Sequence, residues 1–221
     1  MMSRRTSLSL AFFVAVLIAA AIFIRADEKG YHQYLAGDYK TTHEALIEQA
    51  NAGGEFAAYL KGRIENSSLL GPRDTVAALE SFRQAAKLGH PDGAIMEFWL
   101  AAELAGYTTK ACDQLKSLLD LGARARNLKA AAYGGDLHRS RNCGPPDPIM
   151  AAGYYGQAAR LDRRMGTKLD SLMATLSGDI LAQSQQAAQR EFQPLRVQAF
   201  LDHYHALKTG DLAPAGSLQS R

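Results

Sequence analysis

The sequence predicts an all-α protein, an α/α superhelical solenoid of helical hairpins preceded by one transmembrane helix. Three observations lead to that reading. Ala, Leu, Gln, Glu and Arg dominate and alternating strand-forming runs are scarce, while an apolar fraction of 47% over 221 residues suffices for a core. Residues 7–24, "SLSLAFFVAVLIAAAIFI", carry no charge. The stretch "RDTVAALESFRQAAKLG" from Arg73 is echoed 73 residues later by "PDPIMAAGYYGQAARL" from Pro146.

Residues 1–29 form the first element. Eighteen uncharged residues at a rise of ~1.5 Å each reach the short end of a bilayer span. Arg4 and Arg5 precede the span, and Arg25, Asp27 and Glu28 follow it. This balance places the N-terminus in the cytoplasm and the rest of the chain outside. Ala19 and Ala21 make an A-x-A cleavage pattern, but cutting there would leave "IFIRADEKG" as an apolar mature end. The segment is therefore read as a retained anchor. Ala11, Ala15 and Ala19 recur every fourth residue and would line one face with small side chains, as helix pairing in membranes requires.

Residues 30–165 hold the repeats. Shifted by 73, Asp147 falls on Asp74, Ala151 on Ala78, Tyr155 on Phe82, Ala158 and Ala159 on Ala85 and Ala86, and Leu161 on Leu88. Weaker copies are "GDYKTTHEALIEQANAG" and "YTTKACDQLKSLLDLG", so the copies are spaced 36, 33 and 40 residues. Small or apolar residues at i, i+4, i+7 and i+8, such as Ala78, Phe82, Ala85 and Ala86, make one helical stripe. Gly53, Gly89 and Gly122 each follow the last apolar position and are expected to end helices in the left-handed conformation. The intervening segments, 55–67, 91–105 and 123–139, read as the first helices of hairpins closed by "SLLGP", "LAGY" and "NCGPPDP". In this register Tyr155 is a filler between helices, and Tyr154 is left for the surface.

Residues 166–210 keep no repeat register. Thr167 is placed to cap a helix with Leu169, Leu172, Met173, Leu176 and Ile180 on one face, running on to Phe192. Pro194 interrupts, and Val197, Phe200, Leu201 and Tyr204 mark a last amphipathic helix ending near Gly210. The region reads as a cap over the open end of the repeats. The polar tail, residues 211–221, is expected to be disordered.

The segments "RDTVAALESFRQAAKLGHPDGA" and "DPIMAAGYYGQAARL" resemble the Sel-type repeat, a relative of the tetratricopeptide repeat whose second helix follows D-x-x-x-A-x-x-[WYF]-x-x-A-A-x-x-G. The resemblance spans residues 37–162, with two good copies and two weak ones. It departs at Asp162, where the terminal glycine is missing, and at Leu118 and Leu119, which replace the alanine pair. It implies a stacked α/α superhelix of the kind that mostly scaffolds other proteins.

Charge narrows the function classes. The formal net charge is +3, but residues 1–25 contribute three basic residues and no acid, so residues 26–221 are neutral. A nucleic-acid role loses its electrostatic basis. Residues 26–122 hold nine basic against fourteen acidic side chains, and residues 123–168 hold nine against three. Arg124, Arg126, Arg139 and Arg141 of that basic segment, together with Tyr154, are the candidate contacts to an acidic protein partner.

Cys112 and Cys143 are the only cysteines, in a segment expected to be exported. Cys112 falls in the first turn of a helix, and the next helix runs back, so the "NCGPPDP" loop should return to its level. A bond there would close a loop of about 30 residues and contribute roughly 3 kcal/mol. The alternative is two unrelated thiols, with Cys112 a small core residue. No histidine or second cysteine stands at metal-ligand spacing beside either one. His203 and His205 lie on different faces of one helix, and Glu44 with Glu48 reads as a wet helix face. Serine elbows, phosphate loops and dinucleotide glycines are absent, so no catalytic residue or cofactor is assigned.

The expected function is therefore non-catalytic. It is a single-pass protein of the bacterial inner membrane whose periplasmic domain acts as an adaptor or accessory subunit of an envelope complex. The alternative class binds cell-wall polysaccharide, with Tyr154, Tyr155, Trp99 and Tyr107 stacking on sugar rings.

Overall fold

The computed structural model describes residues 35–210. The anchor expected at residues 1–29, with the small-residue face expected at Ala11, Ala15 and Ala19, and the tail at 211–221 lie outside the described residues. Among the described residues there are ten α-helices and no strand, so the fold is all-α. No helix there is long and apolar enough to cross a membrane. The described residues fall into two compact units, 35–88 and 89–210.

The first unit contains α1 (Tyr39–Asn51), α2 (Glu55–Glu65) and α3 (Thr75–Lys87). Asp38 caps α1 by accepting from the Thr41 amide, and Asp74 caps α3 by accepting from Ala77 at 2.9 Å. Between α1 and α2 the chain turns at Gly53, whose φ of +92° is cheap only without a Cβ. The repeat stripe is the core, with Leu46, Ala50, Ala78, Phe82, Ala85 and Ala86 at 1% exposure or less. Phe82 lies flat over Gly62 of α2, where a Cβ would stand 2.9 Å from its ring. This close approach explains why α2 tolerates a glycine in its interior. At the rim of this core Lys61 and Ser81 both bond Glu65, at 2.8 and 2.5 Å, and Lys61 also donates to Ser81 at 2.7 Å. His43 reaches the same carboxylate at 3.2 Å.

The second unit contains α4 (Pro91–Leu104), α5 (Thr109–Arg124), α6 (Leu128–Arg139) and α7 (Pro148–Leu161). A short 3-10 turn (Arg163–Met165) leads to α8 (Gly166–Met173), α9 (Gly178–Gln189) and α10 (Val197–Thr209). His90, Thr108, Asn127 and Asp147 cap α4 to α7 through their side chains. Helices α6 and α7 pack face to face through glycines. A Cβ on Gly134 would overlap the Tyr154 ring, and one on Gly135 the Tyr155 ring.

Three boundaries differ from the sequence reading. Gly122 does not end α5; it lies inside the helix, buried, where a Cβ would stand 2.6 Å from Ala130 and 3.3 Å from Phe200. The left-handed residue is Arg126, with φ +60°, so α6 starts at Leu128 and not at 123. The glycine permits close packing, a use that a sequence pattern does not separate from chain reversal. Likewise Thr167 caps nothing; its hydroxyl donates to the Arg164 carbonyl at 3.0 Å. The single helix expected from Thr167 to Phe192 is two, α8 and α9, broken before Gly178 at φ +56°.

The C-terminal region is more than an end cap. Helices α8 and α9 cover α7, whereas α10 turns back and packs on α4 and α5. Phe200 and Tyr204 are its buried anchors, and Tyr204 meets Phe98 edge to face at 5.9 Å. Tyr204 and Lys208 of α10 bond the carboxylate of Glu97 on α4, itself 2% exposed, at 2.6 and 2.5 Å.

His203, also on α10, bonds Ser117 through Nε2 at 2.9 Å, while its Nδ1 is buried without a partner. Burial pushes the imidazole below its ordinary value of 6.5. Its contribution to stability is thus present above that value and is lost as pH falls through it towards the folded pKa. Burial depresses His138 in the same direction, with Lys116 adding to it and Asp147 opposing. The unfolding midpoint in urea is expected to drop between about pH 7 and pH 5, with a shallower drop in His203→Gln. An unchanged pH slope in that variant would contradict the buried placement.

Candidate functional site

Helices α5, α6 and α7 and the two loops that join them carry every candidate contact residue of the folded region and both cysteines, and the helices run alternately up and down. Each pole of this group therefore collects the end of one helix and the start of another.

At the pole holding the α5 N-terminus, Cys112 and Cys143 are joined as a disulfide, with sulfurs 1.97 Å and Cα atoms 5.4 Å apart. Cys112 is buried in the first turn of α5 and Cys143 sits in the loop between α6 and α7, as the antiparallel return requires. Lys116, one turn along α5, donates to the Cys143 carbonyl at 2.8 Å and fastens the same loop. An open cavity of about 390 Å³ lies beside it, lined by Lys116, His138, Cys143, Pro146 and Asp147 among others. Asp147 is already used as the α7 cap, accepting from Ile149 and Met150 at 3.1 and 3.0 Å. Replacing both cysteines by serine is expected to lower stability by roughly 3 kcal/mol. Chemical unfolding with and without a thiol reductant should show the same loss in the parent protein and none in the double variant.

Tyr154 is not a surface contact. It is 2% exposed, its ring stacked on His138 at 5.4 Å and edge-on to Phe192 at 5.2 Å. The space left by Gly134 draws it inside, so the residue with no assigned place in the repeat register becomes core. Tyr155 is the filler between helices that the register predicts, fully buried, with its hydroxyl donating to Asp136 at 2.7 Å. Burial raises both phenols well above their ordinary value, with Asp120 adding to it at Tyr154 and the Asp136 bond at Tyr155. Of the other aromatics considered for sugar stacking, Trp99 lies against Tyr133 with centroids 4.8 Å apart. Tyr107 occupies a left-handed turn with φ +54°.

The four candidate arginines divide into two pairs. Arg139 and Arg141 are exposed beside the disulfide loop. Arg124 and Arg126 stand at the other end of α6, a 12-residue helix of about 18 Å. Arg124 is held internally: its guanidinium meets Asp120 at 3.7 Å and donates to the Gln193 carbonyl at 3.4 Å. Its own carbonyl accepts from Leu195 at 2.9 Å. Arg126 is exposed.

Other members of the basic segment are also consumed internally. Lys168 pairs with Asp136 at 2.6 Å, and Arg164 forks onto Asp162 at 2.6 and 3.0 Å. Arg160 ties α7 to α9 by donating to the Ala188 carbonyl at 2.8 Å, to Gln157 at 3.0 Å and to the Arg190 carbonyl at 2.5 Å. Part of the basic charge of 123–168 is therefore engaged within the chain, with Arg124, Arg160 and Lys168 linking α5, α7 and α6 to the C-terminal region. Among the described residues no three His, Cys, Asp or Glu side chains are grouped to hold a metal ion.

No protein-family model matches the chain, and no curated protein matches it.

Proposed function

We propose that the chain is a membrane-tethered, extracytoplasmic helical-repeat protein of the Sel type. It serves as an adaptor or accessory subunit of an envelope membrane complex, its N-terminus in the cytoplasm. The observation that carries the reading is the burial of one register position in all four copies: Leu46, Phe82, Leu115 and Tyr155 are each 1% exposed or less. Their helices begin after Asp38, Asp74, Thr108 and Asp147, spaced 36, 34 and 39 residues against 36, 33 and 40 for the fillers. Repeating units of this kind present extended walls of helix faces, a geometry suited to holding another protein. The disulfide fits an oxidising compartment, and the uncharged residues 7–24 supply the tether.

Two experiments test the reading. An alkaline-phosphatase fusion after Lys29 should be active, and an inactive one overturns the export assignment. Crosslinking in intact membranes should recover a protein partner. Recovery of glycan alone would favour the polysaccharide reading, from which the burial of Tyr154 and Tyr155 already removes two of its four stacking rings.

A further inference from the structure

The pole opposite the disulfide gathers cations from segments far apart in sequence. Hydrogen bonds tie the backbone of Arg124 to Leu195, and the side chain of Arg160 to the carbonyls of Ala188 and Arg190. Arg126 lies two residues past Arg124, Arg163 three past Arg160, and Arg196 next to Leu195. Arg126, Arg163, Arg190 and Arg196 are all exposed, and none has an ion pair among the described residues. The acids placed beside these positions by sequence or by bonding are Asp120 and Asp162, paired with Arg124 and Arg164, Asp92, engaged by Asn127 at 2.7 Å and Lys129 at 3.9 Å, and exposed Glu191.

Helix dipoles account for part of this cluster. Arg126 follows the C-terminus of α5, Arg163 that of α7, and Arg190 is the C-cap of α9, where a cation is favoured. Arg196 breaks the pattern: it is the N-cap residue of α10, where the dipole opposes a cation, and it makes no capping bond. Four guanidinium groups are thus left in water at one pole with one of them against its local field.

We propose that this arginine pole docks an acidic segment of a partner protein, a proposal that rests on the adaptor reading. All four free cations are arginines, whose planar forks match carboxylates two bonds at a time. A lipid surface fits less well, because Val197 is the exposed large apolar side chain placed at this pole and interfacial binding needs a set of them. A nucleic acid fits less well again, since residues 26–221 are neutral and acids are interleaved.

The test uses the full-length protein in detergent and a fluorescent octaglutamate peptide, followed by anisotropy. The parent protein should bind, with affinity falling between about 50 and 300 mM salt. Combined Arg126→Glu, Arg163→Glu and Arg196→Glu should weaken binding by roughly tenfold or more. Arg139→Glu with Arg141→Glu, at the other pole, should change it by less than about twofold. The corresponding Arg→Gln set, which adds no new charge, should also weaken binding if the charge-reversed protein does not fold.

Equal losses at both poles, absence of peptide binding, or binding to anionic phospholipid vesicles without peptide binding would each overturn the proposal. Photocrosslinking groups at positions 163 and 141 in intact membranes separate the two levels of inference. A protein adduct whose crosslinked peptide is acidic, from position 163 only, supports the pole. A protein adduct from 141 only leaves the adaptor reading standing and overturns the pole, and adducts from neither overturn both.

Discussion

Gly156→Ala is expected to destabilise the protein, against helix propensity. In an isolated helix the change would be worth about 1 kcal/mol in favour of alanine. In α7, however, the new Cβ would overlap the Ala188 carbonyl oxygen and stand 2.7 Å from the Ala188 Cα. These are backbone atoms of α9, so no rotamer change relieves the clash, and the helix itself must move away. That carbonyl also accepts from Arg160 at 2.8 Å, and Ser184 and Ala188 are buried in the same contact. Overpacking of this kind costs about 1–3 kcal/mol, occasionally more, so a net loss of about 2 kcal/mol is expected.

Gly153→Ala, one turn earlier on the same helix, supplies the contrast. A Cβ there would meet Ala187 at 3.7 Å, an ordinary contact, so this variant should be more stable by up to about 1 kcal/mol. Urea unfolding of the two variants checks the pair. Shifts of the same sign would mean that α9 does not lie on α7 as described.

Glu97→Ala is expected to cost about 3 kcal/mol and to loosen α10 in particular. The carboxylate is 2% exposed and takes the Tyr204 hydroxyl at 2.6 Å and the Lys208 ammonium at 2.5 Å. Its removal takes from a buried tyrosine, 1% exposed, the acceptor that satisfies it, and leaves a cavity between α4 and α10. The Lys208 share is smaller, because that side chain keeps 37% of its surface in water. Glu97→Gln preserves shape and an acceptor and should cost about 1 kcal/mol. Hydrogen exchange should localise the effect of Glu97→Ala to residues 197–209. Protection there equal to that of the parent protein would show that α10 is held by its apolar contacts alone.

Much of the helical layout was legible because its signals are local. Asp38, Asp74 and Asp147 are capping residues at the heads of copies that also share an apolar stripe, and both properties follow from helix geometry. The pairing of Cys112 with Cys143 followed from chain direction, since an antiparallel return brings the loop back to the first turn of α5.

The failures share one cause, which is that glycine and charge have several uses that look alike in sequence. Gly122 resembled a helix terminator, yet it exists so that Ala130 and Phe200 can approach α5. Tyr154 has no place in the register, which points it to the surface, but Gly134 on α6 opens a slot that takes its ring inside. Arg124 is one of the candidate docking charges, and its guanidinium already meets Asp120 and the Gln193 carbonyl. Arg190 and Arg196 show the converse, since they come to the pole of Arg126 and Arg163 only through the bonds of Arg160 to the Arg190 carbonyl and of Leu195 to the Arg124 carbonyl.

The sequence by itself determined where the four helices after Asp38, Asp74, Thr108 and Asp147 begin, which stripe of each turns inward, and that residues 26–221 balance their charge. Those properties depend on residues within a turn or two of one another. Which helix each stripe meets, which arginines are spent inside and which remain in water were decided only by the tertiary structure. Those outcomes depend on distances of a few ångströms between residues as much as 111 positions apart, as at Glu97 and Lys208, and a linear pattern does not encode such distances.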